Sequence, residues 1–412
     1  MKIAVLDNQN IFKASSASAN RWRTMLEGLA KHGVEVHLIV TQGYQSMAEY
    51  REFKKHGVIG GIHCHYTVFL LRSGLWQRRL VKYVLSPMLA GLNRRRVSML
   101  LNHLSPDILF LHPSSAICDM YARIYPEKTD VFKLMIELSE FNDTAHTRTT
   151  NKLQLADTEK RNELLTKKIL PDTDLFVIMT RRLIEHYRSL AGNTGAKYLH
   201  LPMTVDLARF KDVQPVALRV PYIAYIGALN NKKDGIDVLI ESFARIAQVH
   251  DELTLYLVGG YQHDVDIQKD LIAKFSLEDK VVYLGEKTRD EIPPILMNAE
   301  LLVLPRPDSR QAQGGFPTKL GEYLASGNPV CATRVGEIPD YLADNVSVFF
   351  AEPGNVESFT DAMLRALSNK AAAKIVGENG RKVAEKKFNM DVQAQILFDF
   401  LESNLEGKNR YV

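Results

Sequence analysis

Short apolar runs alternate with helical patterns along most of the chain. Between the first two runs, Trp22, Met25 and Leu29 recur at helical spacing, and Gly33 closes the predicted helix. This order is typical of the βαβ unit of a doubly wound parallel sheet. In the first half the apolar runs occupy 2–7, 34–40, 108–112, 132–138 and 175–180.

The pattern lapses at 201–215, where prolines bracket a polar stretch, and then begins again. Helices are predicted at 235–250 and 289–299. Two α/β domains are therefore expected, each a Rossmann-like doubly wound parallel sheet, facing each other across a cleft where ligands bind. The domains are predicted at 1–205 and 206–388, with a C-terminal helix at 389–412. The strand-like runs of the second half are 222–229, 254–260, 281–286, 301–305 and 329–335.

Composition is that of a globular protein, with 46% hydrophobic and 24% charged residues among 412. No apolar run approaches the roughly 18 residues that a membrane span needs, and the first ten residues lack the features of a signal peptide. Cys64, Cys118 and Cys331 form neither a disulfide pattern nor a zinc pattern. A reducing cytoplasmic location is expected.

Charge is unevenly distributed, because 53–106 contains no acidic residue. Within it, 72–96 mixes arginines and lysines with Trp76 and several aliphatic residues. Such a mixture suits a helix lying against an anionic membrane surface, here the inner face. It equally suits a solvated basic face over an ordinary core stripe. Nucleic-acid binding is not expected, since no recognition motif accompanies the charge.

The stretch 314–342 contains the first candidate site. A helix is predicted to begin at about Thr318 and to end at Gly327. Its first amides lack internal partners and attract anions. Gly314 and Gly315 would allow close backbone approach, and Lys319 adds a full positive charge. The pattern favours a phosphate site.

Two further features extend this site. The Glu322 carboxylate could accept from two neighbouring hydroxyls, as on a ribose. Gly227 ends the first strand of the second domain, with Lys232 and Lys233 soon after, and strand ends of one sheet share an edge. Converging cations would stabilise a leaving diphosphate. The alternatives are a solvated Lys–Glu surface and a loop lysine before an aspartate that caps the next helix.

The second domain resembles the family-4 retaining glycosyltransferases of the GT-B fold, the glycosyl transferases group 1. The resemblance rests on "G-x-L-x-x-x-K-D-G", "Y-L-G", "L-P-R-P", "G-G-F-P-T-K-L-x-E-Y-L-A-S-G-N-P-V" and "V-G-E-I". In the first half it rests on element order, on "VDLARF" at the linker and on "LFLH", which ends at His112. These enzymes transfer a sugar from a nucleoside diphosphate sugar to an acceptor.

The resemblance implies a role for each matching position. It makes Glu322 the ribose ligand, Lys233 a diphosphate ligand and His112 a contact of the transferred sugar. These three are the expected catalytic residues. It also implies that 286–288 lies near the base and that the last helix crosses back to the first domain. The implied donor-binding residues are Gly227, Lys233, Arg306, Gly315, Phe316, Pro317, Thr318, Lys319 and Glu322.

The chain departs from the family pattern at two positions. Gly314 stands where many relatives carry an acidic residue, which affects the hydrogen bonds to the sugar. Ala228 stands where many carry an arginine. Lys319, Lys232 or Arg306 are the candidates to supply the missing cation.

Other short patterns point to no cofactor and no divalent metal. "DTD" at 172–174 precedes its strand, and "DVD" at 264–266 lies beyond its strand, so both fit chance better than a metal-binding Asp-x-Asp. "HCH" at 63–65 alternates like a strand, which separates the imidazoles from the thiol. Glu140 and Asn142 follow a strand and are either acceptor or sugar contacts, or simply polar loop residues.

The sequence therefore predicts a retaining, metal-independent glycosyltransferase. Its partners would be a nucleotide-sugar donor and a glycan or lipid-linked acceptor, in polysaccharide or glycolipid biosynthesis. Two alternatives remain: an epimerase or phosphorylase of the same fold, and an inactive relative that only binds nucleotide sugars. No set of acid and base residues indicates the former. Only Gly314 and Ala228 favour the latter.

Overall fold

The computed structural model describes residues 1–12, 16–44, 46–68, 86–142, 152–214, 218, 221–260 and 265–405. Contacts between residues divide the chain into two compact units. The first unit comprises 1–201 together with 393–412, and the second comprises 202–392. Among the described residues, no helix is long and apolar enough to cross a bilayer.

The described part of the first unit forms an eight-stranded sheet in the order β3-β4-β2-β1-β5-β6-β7-β8. Paired strands run parallel, except that β3 is antiparallel to β4. Strand order reverses between β1 and β5, and the carboxyl ends of such strands are where α/β sheets bind ligands. The strands are Lys2–Asp7, Glu35–Val40, Val58–Ile59, Ile62–Tyr66, Ile108–Leu111, Lys133–Leu138, Leu175–Ile178 and Lys197–His200, numbered β1 to β8.

Four helices of the first unit begin after a hydroxyl side chain that caps the first turn. Ser16, Ser46, Ser114 and Thr180 each accept a hydrogen bond from an amide three residues further on. A π-helical turn, Leu165–Ile169, joins two of the helices. The helices are α1 Ala17–Lys31, α2 Met47–His56, α3 Ser86–Leu104, α4 Ser115–Ile124, α5 Lys152–Leu164, α6 Leu170–Asp172 and α7 Arg181–Ala191.

The second unit contains a parallel sheet of six described strands in the order β11-β10-β9-β12-β13-β14. Its order reverses between β9 and β12, which makes their carboxyl ends the corresponding ligand position. The strands are β9 Tyr222–Ile226, β10 Thr254–Val258, β11 Val281–Gly285, β12 Leu301–Leu304, β13 Val330–Thr333 and β14 Phe349–Ala351.

Helices surround this second sheet and complete the chain. Short 3-10 turns at Leu207–Phe210 and Arg289–Glu291 and a π-helical turn at Ala384–Phe388 connect some of them. The helices are α8 Asn231–Asp234, α9 Ile236–Ile246, α10 Val265–Lys274, α11 Ile292–Met297, α12 Arg310–Gly314, α13 Thr318–Ser326, α14 Ile338–Tyr341, α15 Val356–Ser368, α16 Lys370–Val383 and α17 Met390–Leu405.

Central strands of both sheets are buried along their whole length. In β9, β10 and β12 every residue is buried, as expected when helices cover both faces of a parallel sheet. The described strands of the second sheet carry no charged side chain, so its charged groups lie beyond the strand ends. Two parallel α/β sheets confirm the predicted fold class.

Candidate functional site in the second unit and a polar pair in the first

Lys319 lies directly over the backbone of Gly227, at the point where the second sheet reverses its order. A Cβ built on Gly227 would stand 2.2 Å from Lys319 Nζ. Gly227 follows β9, and Lys319 is the second residue of α13. Ala228, the next residue, carries no charge, so the Lys319 ammonium supplies a positive charge at this turn. Lys319, one of the three predicted substitutes for an arginine, therefore contacts this turn.

The ammonium of Lys319 is held by two buried groups. Lys319 Nζ lies 2.7 Å from Asp234 Oδ1 and 2.5 Å from the Tyr225 hydroxyl, and it stands 4.4 Å from the centre of the Tyr225 ring. Asp234 Oδ2 is buried with no hydrogen-bond partner among the described residues. Sequence analysis missed this aspartate as a partner of Lys319. Oδ1 of Asp234 is therefore paired with Lys319, whereas Oδ2 could still accept a hydrogen bond.

Lys233 and Arg306 extend the positive charge around Lys319. Burial lowers the pKa of Lys319; the charges of Lys233 and Arg306 lower it further, and Asp234 opposes them. Lys233 is exposed on α8, whereas Arg306 is buried after β12 and donates to the Gln311 carbonyl at 3.2 Å. Three predicted donor-binding cations therefore act on one another electrostatically.

The alternative assignment of Asp234 as a helix cap is wrong. Gly235 is the N-cap of α9 and has left-handed backbone geometry, with no side-chain cap. The cap in this region is Asn230, whose side chain accepts from the Lys233 amide at 2.7 Å. Asp234 faces Lys319 instead, at the end of α8.

The predicted glycine loop before α13 has a different form from the one expected. Gly314 is the last residue of the short helix α12, and Gly315 has extended backbone angles that any residue can adopt. Phe316 is buried and packs edge-on against Tyr341 at 5.5 Å. Pro317 caps α13 without a side-chain hydrogen bond. The first amides of α13, at Thr318 and Lys319, are thus not capped by a side chain, and this is what an anion-binding terminus requires.

Glu322 forms an ion pair that the sequence did not predict. Its carboxylate accepts a very short hydrogen bond from Arg209 Nη1, and Arg209 also donates to the Arg289 carbonyl. The Arg289 guanidinium is in turn 3.3 Å from Asp206. Arg209 comes from the "VDLARF" segment, so the linker motif supplies the counter-ion of the predicted ribose ligand. Sequence reasoning used that segment only for its resemblance.

His112 lies in the first unit, after β5, where that sheet reverses its order. Its Nδ1 is 3.1 Å from Asp7 Oδ1, and its Nε2 is 3.4 Å from Ser18 Oγ. Asn142 Oδ1 contacts His186 Nε2 at 3.1 Å, and the Glu140 carbonyl accepts from Tyr187 at 2.6 Å. Neither Glu140 nor Asn142 is brought to His112 by any of these contacts.

Both aspartates of the rejected "DTD" pattern have side-chain partners in the structure. Asp172 accepts from the Tyr121 hydroxyl at 3.0 Å, and Asp174 pairs with Lys128 at 3.0 Å. Residue 264 of "DVD" lies outside the described residues. In the described ranges, no group of three His, Cys, Asp or Glu side chains is arranged to hold a metal ion.

"HCH" forms β4, as its alternation predicted, and its two imidazoles join a third on β2. The rings of His63 and His65 stack on His37 with centroids at 4.9 and 5.2 Å. His37 Nδ1 is 2.9 Å from His65 Nε2, and His37 Nε2 is 2.8 Å from Glu35 Oε1. This histidine cluster (His37, His63 and His65) lies on β2 and β4, outside the reversal between β1 and β5 of the same sheet.

Comparisons with known proteins find a family match in the second unit and similar solved structures over nearly the whole chain. Residues 220–369 match the family model described as Glycosyl transferases group 1. The second unit therefore contains a domain of that family.

Among curated relatives, the amylovoran biosynthesis glycosyltransferase AmsK of Erwinia amylovora is 29% identical over 223 residues, which cover 54% of each chain. The chain spans about half the length of the curated relatives it matches.

Solved structures extend the likeness to nearly the whole chain. Sucrose-phosphate synthase of Thermosynechococcus elongatus aligns with a TM-score of 0.74 at 17% identity, covering 99% of this chain and 100% of that one. The Anabaena protein HepE, in a complex with UDP and glucose, aligns with a TM-score of 0.67 at 17% identity, covering 98% and 100%. The chain thus has the GT-B fold of glycosyltransferase structures.

Proposed function

We propose that the protein is a retaining, metal-independent glycosyltransferase that moves a sugar from a nucleoside diphosphate sugar to an acceptor hydroxyl. The observation that carries this proposal is the Lys319 ammonium, which Asp234 and Tyr225 hold against the Gly227 turn at the strand-order reversal of the second sheet, beside the start of α13. Lys233 and Arg306 add positive charge around it. HepE, which shares the fold, is solved with UDP and glucose.

The cation cluster suits the departure of a diphosphate. When the bond between the anomeric carbon and the diphosphate breaks, negative charge grows on the phosphate oxygens. Fixed cations and helix amides stabilise that charge most where water is excluded. Lys319 is already desolvated and oriented by Asp234 and Tyr225, so little reorganisation is needed when the leaving group forms.

Glu322 is proposed as the ribose ligand, next to this cluster on α13. Its side chain is 23% exposed and its Arg209 partner 10%, so one face of the carboxylate remains open to a ligand. Because a carboxylate has about four lone-pair positions, it can keep Arg209 and still accept from ribose hydroxyls. Arg209 then orients the carboxylate.

The acceptor is proposed to be lipid-linked, at the cytoplasmic face of the membrane, in polysaccharide or glycolipid assembly. The stretch 72–96 is described only from residue 86 onward, in α3. There Leu92 and Met99 are 46% and 61% exposed, and Arg95 is exposed one helical turn from each. Such a face suits an anionic lipid surface. The printed name of AmsK, a biosynthetic enzyme of amylovoran, supports the class of pathway.

The central test is Glu322→Gln, which removes the charge but keeps the shape. Hydrogen bonds to charged groups contribute about 1.5–3 kcal/mol, so nucleotide affinity should fall roughly ten- to a hundredfold. Thermal shifts with UDP, GDP, dTDP and ADP first identify the nucleotide, because a ligand of the folded state raises the melting temperature. Calorimetric titration then compares wild type and variant.

Glu357→Gln is the matched control, since Glu357 is 83% exposed and lies 4.0 Å from Arg245. It should bind nucleotide like the wild type. If Glu322→Gln binds nucleotide with unchanged affinity, Glu322 is not the ribose ligand. If the wild type neither binds nor consumes any nucleotide sugar, the proposed function is refuted.

A further inference from the structure

A buried carboxylate and an imidazole meet at the strand-order reversal of the first sheet. Asp7 is the last residue of β1, and His112 follows the neighbouring strand β5. Leu6 pairs with Leu111, and the His112 amide donates to the Leu6 carbonyl at 3.2 Å. The backbone therefore fixes the two side chains side by side, in the position where parallel α/β sheets bind ligands.

The contacts hold the imidazole in one orientation. Asp7 Oδ1 lies 3.1 Å from His112 Nδ1, a close charge contact that is poorly aligned for a hydrogen bond. The Trp22 ring meets the imidazole edge-on, with centroids 5.1 Å apart. Ser18 Oγ lies 3.4 Å from Nε2, on the far side of the ring from Asp7. Nε2 thus faces away from Asp7 and contacts Ser18 Oγ.

The Asp7 carboxylate could accept more hydrogen bonds than the described residues donate to it. Its side chain is fully buried, and Oδ1 also accepts from the Gln9 amide at 3.1 Å. Oδ2 has no hydrogen-bond partner among the described residues. A buried carboxylate is costly unless it is paired, so a positive charge on His112 is the compensation that this site offers.

The surrounding charges favour that positive charge. Burial acts against it, but the Asp7 charge, and to a smaller extent Glu137 on β6, outweigh burial, and the pKa of His112 is raised above 6.5. Arg161 on α5 opposes them. Glu137 is itself paired with Arg21 of α1, with Arg21 Nε 2.7 Å from its carboxylate.

We propose that Asp7 is a positioning residue that holds His112 as an imidazolium, so that its Nε2–H is donated to an oxygen of the bound glycosyl donor. This inference rests on the proposed function. Ser18 Oγ marks where that oxygen would approach. Asp7 transfers no proton and touches no substrate; it sets which ring nitrogen faces the ligand and keeps both protonated. A charged donor makes a stronger hydrogen bond than a neutral one.

A purely structural role is the competing explanation, because Asp7 also orders the turn after β1 through Gln9. The two roles differ in what happens to His112. If Asp7 only orders the turn, replacing it with asparagine should leave the charge of His112 unchanged. If Asp7 is the counter-ion of His112, the same replacement should change that charge.

The test is nitrogen-15 spectroscopy of the histidine side chains in the full chain, with His112 assigned by its loss in His112→Gln. Both ring nitrogens of wild-type His112 should be protonated in most molecules at pH 6.5, because its pKa lies above that value. In Asp7→Asn the titration midpoint should move from above 6.5 to below 6.5, because burial then acts without its opposing charge. Asp119→Asn, which removes a carboxylate paired with Arg123 and Lys160, should leave the midpoint in place.

A kinetic readout completes the experiment. In Asp7→Asn, kcat for donor consumption should fall, with KM changing less, and the alkaline limb of its pH profile should move to lower pH. An unchanged midpoint, or a His112 that is mostly singly protonated in the wild type at pH 6.5, would overturn the inference. The wild-type spectrum decides this even if the variant does not fold. A moved midpoint with an unaltered kcat profile would overturn the substrate contact. Failure of the proposed function is seen separately, as a wild type that consumes no nucleotide sugar.

Discussion

Two of the predicted ligand residues already have charged partners in the structure: Lys319 has Asp234 and Glu322 has Arg209. Each pair holds its side chain close to the place where a nucleotide would bind. A ligand therefore joins an ordered arrangement and does not have to order free side chains, which reduces the entropy lost on binding. Asp234 also limits the net positive charge beside Lys319.

Gly227→Ala tests the position of Lys319 without altering any charge. The new Cβ would stand 2.2 Å from Nζ and 2.7 Å from Cε of Lys319, so the ammonium has to leave the turn. We expect the nucleotide Kd, measured by calorimetric titration, to rise about tenfold or more, which corresponds to roughly 1.4 kcal/mol.

The matched change is Gly195→Ala in the first unit, where a Cβ meets only Asn193 Oδ1 at 3.6 Å. It should leave the Kd unaltered. If Gly227→Ala binds nucleotide as tightly as the wild type, the Lys319 ammonium is not a phosphate ligand in this position.

At the scale of elements, the histidine cluster on β2 and β4 makes the first sheet sensitive to acid. Burial, helped by the charges of His37 and His63, lowers the pKa of His65 to about 4. In the unfolded chain a histidine titrates near 6.5, so between these values the unfolded state binds more protons. The free energy of unfolding should therefore fall as the pH drops from about 6.5 to 4.

Melting temperatures of His65→Gln and the wild type, measured from pH 7 to pH 4, check this expectation. The variant should lose less stability on acidification, because it removes one buried base and keeps a polar group beside His37. His103→Gln changes an exposed histidine of α3 and should follow the wild type. Parallel curves for all three proteins would exclude the cluster as the cause.

Sequence patterning predicted the elements with strong, continuous burial and missed those without it. The runs at 2–7 and 222–229 were recognised because the interior residues of these central parallel strands are apolar. The strand Lys197–His200 has no buried residue, and Phe349–Ala351 is only three residues long, so neither shows a period. The helix α12 lies in a polar, glycine-ending segment that reads as a loop.

The same limit applies to the site. Lys319, Glu322 and Lys233 were recognised because they lie within one helix turn or loop of a strand end. Asp7 and Arg209 were missed as partners because each acts across more than a hundred residues of sequence, on His112 and Glu322 respectively. Local spacing contains no signal for such pairs, because they form only when the fold brings distant segments together. Asp7 and His112 meet at the ends of β1 and β5, and Arg209 and Glu322 meet between the linker turn and α13.

For the molecule as a whole, the absence of acidic residues across 53–106 should appear as lipid selectivity. The chain should bind vesicles of phosphatidylglycerol and phosphatidylcholine better than phosphatidylcholine alone, and added salt should weaken the binding. Arg95→Gln should lower the partition coefficient about fivefold, since one basic residue near the surface contributes about 1 kcal/mol. Sedimentation with vesicles measures this.

Arg123→Gln provides the comparison, because Arg123 is a 57% exposed arginine of α4 outside the basic stretch. It should bind vesicles like the wild type. Equal binding to charged and neutral vesicles, or equal losses in both variants, would contradict a lipid-facing α3.

The buried pair of Arg21 and Glu137 constrains how this chain can diverge. Arg21 also donates to the Leu201 carbonyl at 2.7 Å, so one guanidinium joins α1, β6 and the residue that follows β8. Losing one member of such a pair costs on the order of 3–5 kcal/mol, a large share of the stability of a typical domain. Related sequences should therefore keep both residues or replace both together. A protein with Arg21 but without Glu137 would lose much of its folding stability.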